Sequence, residues 1–314
     1  RLVDRDDSGE DGGMPELPEV EALAAFLRDP LTGRVSTGVE VAAVSALKSV
    51  APGPEALAGA RITGVRRHGK WLDIACQPGA ATSATATDDD GRAFHLLVHL
   101  ARAGWLRWYE AVPARRAAPG RGPLALRVRL DTGAGFDLTE AGTRKRLAVH
   151  VVARPEDVPA VAALGVDPLD AAFTPQALAD LLAEKNQQIK GLLRTQSAIA
   201  GIGNAYSDEI LHSATESPFA LTGSFDPERT ARLHAAIDHV LRAAVAAASG
   251  RPAAELKDAK RAAMRVHGRT GQRCPVCGDV VREVSFADSA LNYCATCQTD
   301  GKPLADRRMS KFLR

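Results

Sequence analysis

Four of the five cysteines in this 314-residue chain form one pattern near the C-terminus: Cys274-x2-Cys277, sixteen residues, then Cys294-x2-Cys297. No other feature limits the fold so tightly, because two C-x2-C knuckles on a hairpin bring four sulfurs to the corners of one tetrahedron. The pattern predicts a single structural Zn2+ held by a short β-hairpin. Two disulfides or four buried thiols would satisfy the same spacing, and a reducing compartment argues against the disulfides. Cys76 lies apart, in an apolar strand-like run, and reads as a core residue.

The length allows two domains with separate cores, and 45% hydrophobic with 25% charged residues is the composition of an ordinary globular protein. No window approaches the ~20 uncharged apolar residues of a membrane helix, and no stretch reads as a signal peptide, so a cytoplasmic address is expected. The net charge of +2 hides an asymmetry: residues 1–13 carry −3 and residues 251–314 carry +6. A basic C-terminal region suits a phosphate-bearing partner, although a solvated surface would look the same.

Residues 1–13 are acidic and Gly-rich with no apolar pattern, and are expected to be a disordered extension or an artefact of the assigned start. A helix is expected over 18–28. Short strands follow at 38–44, 60–65, 70–77, 93–100, 104–109, 124–130 and 147–153, which together predict a β-sandwich within residues 14–153. In the sixth strand Leu124, Leu126, Val128 and Leu130 alternate with Arg127 and Arg129, the mark of a half-exposed strand. Residues 78–92 read as a low-complexity hairpin insertion, and 111–123 as a loop rich in Pro, Gly and Arg.

Beyond a linker near 154–167 the apolar period changes from two to 3.6. Helices are expected at 175–185, 188–195, 205–214 and from Pro227 onward, forming a helical domain over 168–250. The zinc hairpin and a basic tail occupy 269–314. The fold class is α+β: an N-terminal helix and β-sandwich, a helical domain, and a zinc β-hairpin.

The stretch Met14-Pro15-Glu16-Leu17-Pro18-Glu19-Val20-Glu21 carries the chemistry. Part of it is a helix start. Pro18 suits the first turn, Glu19 and Glu21 suit the positive end of the dipole, and Val20, Leu23, Ala24 and Leu27 make one stripe. That leaves Pro15-Glu16 unexplained. If translation starts at Met14 and the methionine is removed, Pro15 gains a free secondary amine beside a carboxylate. Such an amine can attack an electrophilic sugar carbon and form an iminium that has no neutral imine to relax to, with Glu16 as general acid. With Met14 attached, the nitrogen is an amide and its lone pair is delocalised. The active chain is therefore expected to begin at Pro15.

These residues closely resemble the N-terminus of the formamidopyrimidine-DNA glycosylase / endonuclease VIII family, base-excision repair enzymes that remove oxidised bases and then nick the strand. Two further places agree. Lys190–Asn204 (KGLLRTQSAIAGIGN) puts Gly201-Ile202-Gly203-Asn204 between two helices and is similar to the family's helix–two-turn–helix DNA clamp. Its glycines allow close approach to a phosphate at a helix N-terminus, and would equally suit a plain tight turn. Arg66–Leu72 (RRHGKWL) resembles the family's first-domain hairpin. The resemblance implies a bifunctional glycosylase and abasic-site lyase acting as a monomer on damaged, double-stranded DNA with one structural zinc. Pro15 would be the nucleophile, Glu16 the proton donor, and Lys70, Lys190 and Asn204 the phosphate contacts.

The chain departs from the family where lesions are read. Arg102 stands where a gap-filling methionine is usual, so a cation and its stem would fill the vacated stack. Residues 138–146 lack the family's Arg-Phe wedge and offer Arg144 instead. Ser289 occupies the position of the zinc hairpin's phosphate-binding arginine, and 253–271 lacks the aromatic loop that covers 8-oxoguanine. Two alternatives stay open: an abasic-site lyase or lesion binder without base excision, and a non-enzymatic zinc-ribbon nucleic-acid adapter.

Overall fold

Helix α1 (Leu17–Leu31) runs between two cores. Its Leu17 packs among the helices of the C-terminal half, whereas Val20, Leu23, Ala24 and Leu27 pack into the β-sandwich. The residues just before it therefore emerge at the seam between the two. This computed structural model describes residues 14–79, 93–117, 120, 122–142, 144–286 and 290–305. The acidic stretch 1–13, most of the 78–92 insertion, Ser289 and the end of the basic tail lie outside the described residues.

Among the described residues eight strands build the sandwich. They are β1 (Ser36–Val41), β2 (Arg61–His68), β3 (Trp71–Gln77), β4 (Phe94–His99), β5 (Gly104–Tyr109), β6 (Leu124–Leu130), β7 (Gly135–Glu140) and β8 (Ala148–Val152). They form two antiparallel sheets, ordered β2-β3-β4-β8 and β1-β6-β7-β5. Alternate residues such as Leu72, Ile74, Cys76, Leu96, Val98, Leu126, Val128 and Leu138 meet in the core. Cys76 is a core residue, as expected.

Three sequence expectations need correction. Strand β7 was not anticipated, because Asp137 sits in the middle of it. In the sheet Asp137 lies across from Arg127, which donates to both of its carboxylate oxygens at 2.7 and 2.8 Å. Nor is β6 open on its outer face: the preceding loop covers it, with the Arg115 carbonyl accepting from Arg127 and the Pro113 carbonyl from Arg129. The segment read as a linker also packs. Its short helix α2 (Pro159–Ala162) and the flanking Val158 cover Trp71 and Leu97 on the outer face of the first sheet.

The helical half contains α3 (Pro175–Glu184), α4 (Ile189–Arg194), α5 (Asn204–Ser213), α6 (Pro227–Ala248) and α7 (Leu256–Ala263). Thr174 and Asp226 cap α3 and α6 by accepting from the amides of Ala177 and Arg229. The zinc-type hairpin is β9 (Val281–Ser285) and β10 (Ala290–Cys294), followed by α8 (Ala295–Gln298). Among the described residues no helix is long and apolar enough to cross a membrane.

Candidate active site and DNA-facing surface

Glu16 is 2% exposed. Its carboxylate does not cap its own helix; it sits on the N-terminus of α5. The amide of Gly203 donates to it at 2.5 Å, that of Ala205 at 2.9 Å and that of Tyr206 at 3.4 Å. The Gly-rich turn is shaped for this contact. A Cβ on Gly203 would stand 2.4 Å from the Glu16 carboxyl carbon, and one on Gly201 (φ +90) 2.7 Å from Leu17 Cβ. The Leu17 amide donates to the Gly201 carbonyl at 3.0 Å, which fixes Pro15 and Glu16 against the turn. Burial alone would raise the Glu16 pKa. The charges of Lys260 and Lys70 and the Ala205 amide outweigh it and hold the carboxyl below its usual value.

Glu19, read from sequence as a helix-dipole residue, belongs to the same cluster. It accepts from the Glu16 amide at 2.9 Å, the Tyr206 hydroxyl at 2.6 Å and the Lys260 ammonium at 3.1 Å. Burial, only partly offset by Lys260 and Tyr206, keeps its pKa above the usual value. Neither Tyr206 nor Lys260 was anticipated as a site residue. Lys260 is 241 residues from Glu19, and nothing in the spacing of α7 marks it.

Lys70 occupies the β2–β3 turn. A Cβ on the preceding Gly69 (φ +55) would lie 3.4 Å from the Gly201 amide, so the two glycine turns abut and carry Lys70 into the field of Glu16. Burial, more than the attraction of Glu16 can offset, pulls the Lys70 pKa down. The His99 ring lies tilted against that of Trp71 with centroids 4.9 Å apart, and burial together with Lys70 lowers its pKa to about 4. It is a further residue of this surface that the sequence reading did not single out.

Lys190 and Asn204 are placed otherwise than a phosphate grip requires. Lys190 is buried, its ammonium bonded to the Asp208 carboxylate and, at 3.3 Å, to the Asn204 carbonyl. Burial lowers its pKa in spite of Asp208. The Asn204 amide nitrogen donates to the Ala290 carbonyl at 2.7 Å and ties α5 to β10, while its Oδ1 is buried without a partner among the described residues. Arg194, at the end of α4, is exposed and acts on Lys70 electrostatically.

The sulfurs of Cys274, Cys277, Cys294 and Cys297 all lie within 4.8 Å of one another, and all four residues are free thiols. Cys274 and Cys297 stand 3.8 Å apart and Cys277 and Cys294 3.3 Å apart, well beyond the about 2.05 Å of a disulfide. Metal–sulfur bonds of about 2.3 Å give a tetrahedron with edges of about 3.8 Å. The four-sulfur set therefore fits a structural metal ion. His212, buried on α5, places Nε2 3.3 Å from the Cys274 sulfur.

Comparison with known proteins accounts for nearly the whole chain. Residues 14–149 match the formamidopyrimidine-DNA glycosylase N-terminal domain, 164–253 the H2TH domain of the same enzymes, and 271–299 a zinc finger found in FPG and IleRS. A formamidopyrimidine-DNA glycosylase of Chloroflexus aurantiacus is 33% identical over 91% of this chain and 98% of its own length. The chain belongs to the formamidopyrimidine-DNA glycosylase family. A Mycobacterium tuberculosis protein described as uncharacterized and formamidopyrimidine-DNA glycosylase-like is 55% identical over 152 residues, covering 48% of this chain and 95% of that protein. The crystal structure of MutM (Fpg) from Thermus thermophilus is 27% identical, with a TM-score of 0.73 over 92% of this chain and 100% of that one.

In this glycosylase-family chain Arg102 and Arg144 stand on two neighbouring loops. Arg102 follows Ala101, a non-glycine residue at φ +53, in the tight turn where the Gly104 amide donates to the Leu100 carbonyl. The Ala141 amide donates to the Ala103 carbonyl at 3.2 Å, so the turn of Arg102 and the loop of Arg144 lie side by side. Glu140 shapes the second loop by accepting from the amides of Arg146 and Leu147 at 2.6 and 3.0 Å. Both arginines are exposed.

Proposed function

We propose that this protein excises an oxidised base from double-stranded DNA and then cleaves the strand at the abasic site, with the Pro15 nitrogen of a chain beginning at Pro15 as nucleophile. The observation that carries this reading is the seat of Glu16, a carboxylate held by the α5 N-terminus directly beside the proline. The nucleotide must be extruded first, since its C1′ is out of reach inside a stacked duplex. The amine then attacks C1′ and the bond to the base breaks; the base leaves with that electron pair and takes up a proton from water. Glu16, held ionised, takes the proton the amine loses and passes it to the sugar ring oxygen as the ring opens, acting first as base and then as acid. The resulting iminium acidifies C2′: loss of a C2′ proton to water frees the electron pair that expels the 3′ phosphate, and loss of a C4′ proton from the conjugated iminium then expels the 5′ phosphate.

In this reading Lys70 and Arg194 face the phosphates, Arg102 and Arg144 enter the vacated stack, and Lys190 and Asn204 support α5 from behind. The four cysteines hold one Zn2+, which would fasten the β9–β10 hairpin against α5. The departures at Arg102 and in the 141–146 loop favour a second reading, an abasic-site lyase without base excision.

Borohydride trapping on a panel of oxidised-base and abasic duplexes tests both. The chain beginning at Pro15 forms an adduct and nicks the strand, the Pro15→Gly variant does not nick, and the full chain with residues 1–14 intact by mass spectrometry binds DNA without an adduct. Equal trapping by the full chain overturns the proline mechanism. Activity on abasic duplex but on no oxidised base decides for the second reading.

A further inference from the structure

Lys260 on α7 has no part in that chemistry, yet it is an enclosed cation beside it, 9% exposed where α1, α5 and α7 meet. Its ammonium donates to the Met14 carbonyl at 2.9 Å and to Glu19 at 3.1 Å, lies 3.7 Å from Glu16 Oε1, and stands 4.9 Å from the centre of the Tyr206 ring. The Met14 carbonyl carbon is bonded to the Pro15 nitrogen, and the oxygen and nitrogen of one peptide unit are about 2.3 Å apart. The ammonium is thus within about 5 Å of the atom that becomes the amine.

We propose that Lys260 is a positioning residue that keeps the Pro15 amine unprotonated, and so nucleophilic, by holding a fixed positive charge beside it. The inference rests on the proline reading above. Its physical basis is that a second ammonium close to the first is disfavoured. The remaining charges around the amine do not cancel this. Glu16 is occupied by the α5 amides, and Glu19 by Tyr206, the Glu16 amide and Lys260 itself. Lys190 and His267 both pair with Asp208, and Glu209 accepts from the amides of Arg265, Val266 and His267. Lys70, in the field of both Lys260 and Arg194, adds further positive charge. Lys260 is also anchored, since moving it would strand Glu19.

The test uses the chain beginning at Pro15, which loses the Met14 carbonyl but keeps Glu16, Glu19, Tyr206 and Lys260. Its N-terminal amine is trace-labelled with acetic anhydride across pH and the product is quantified by mass spectrometry. In the unaltered protein the midpoint falls below that of a peptide of the same N-terminal sequence. Lys260→Gln raises it by about one pH unit, a tenfold smaller neutral fraction at a given pH, and Lys260→Arg restores it. The acid limb of borohydride trapping on an abasic duplex moves in step. A merely structural lysine would leave the midpoint unmoved in folded Lys260→Gln, and that result overturns the proposal. So does an unaltered protein whose amine titrates at or above the peptide. Should Lys260→Gln not fold, Glu19→Gln is compared with Glu19→Gln/Lys260→Met, where no carboxylate is stranded and the double variant must have the higher midpoint. Because labelling needs no DNA, a protein that never traps would fault the proline chemistry while the amine midpoints still decide the role of Lys260.

Discussion

Glu16 has its charge met by backbone rather than by a single partner side chain, and this makes its substitution informative. In Glu16→Gln one carboxylate oxygen becomes an NH2 that must face the Gly203 or Ala205 amide, donor against donor. Nicking and trapping are expected to fall by about 10²–10⁴-fold, as for loss of a general acid–base group, with DNA affinity changed far less. A full-activity Gln variant would remove Glu16 from the proton path. Lys190 makes the opposite case. Asp208 is 0% exposed, so Lys190→Ala leaves a buried carboxylate short of its cation, and urea unfolding should show a loss of about 3 kcal/mol or more. The salt dependence of DNA binding should not change, because Lys190 contacts no phosphate in this arrangement. His99 contributes through its neutral form. Its pKa is about 4 in the fold against 6.5 when free, so as pH falls the unfolded chain takes the proton first. Its share of stability is complete above about pH 6.5 and is lost between there and pH 4. Thermal melts of His99→Gln should therefore show a shallower decline across that window than the unaltered protein.

At the scale of elements, the turn between α4 and α5 decides whether the site exists. Gly203→Ala would put a Cβ 2.4 Å from the Glu16 carboxyl carbon, and the clash can be relieved only by moving Glu16 or the turn. A displacement of about 1 Å in a catalytic group costs on the order of 10²-fold in rate. Nicking should fall that far while circular dichroism and zinc content stay unchanged; an active Gly203→Ala protein would show that Glu16 need not sit on α5. The presence of this turn was legible in the sequence, but its purpose only in part. The glycines read as room for a phosphate, and here they admit Glu16 and Leu17 from the other end of the chain. Strand β6 could be read to the residue because apolar and polar positions alternate within it, and β5 because its short aromatic run stands between turn residues. Strand β7 could not, because Asp137 looks like a loop residue until Arg127 is seen opposite it. The cysteine knuckles were legible because each pair is local. Lys260 was not, since its meaning depends on α7 reaching Glu19 and the Met14 carbonyl.

Over the whole molecule, the site is an interface held from three sides: α1 threads both cores, the β2–β3 turn abuts the α4–α5 turn, and the hairpin braces α5 from outside. That brace runs through few bonds. Asn204 donates to the Ala290 carbonyl, the Asn292 amide donates to Asp208 at 3.1 Å, and Gln298 donates to the Glu216 carbonyl. The hairpin's own apolar clusters are small, drawing on Val266 and Val281 beside the cysteines and on Val284, Leu291 and Tyr293 further along. So little apolar burial cannot hold a two-stranded hairpin by itself, and a metal ion on the four cysteines would supply the difference. Removal of the metal by a chelator is expected to unfold residues 271–299 locally while the sandwich and its stability persist. Hydrogen exchange should lose protection in β9 and β10 and, because Asn204 and Asp208 lose partners, in the first turn of α5. The α5 amides that hold Glu16 belong to that turn, so nicking should fall together with DNA affinity and return when zinc is restored. Metal analysis of the purified protein should give about one zinc per chain. A chelated protein that keeps protection in β9, β10 and α5 would show that the hairpin stands without its metal, and that Glu16 does not depend on it.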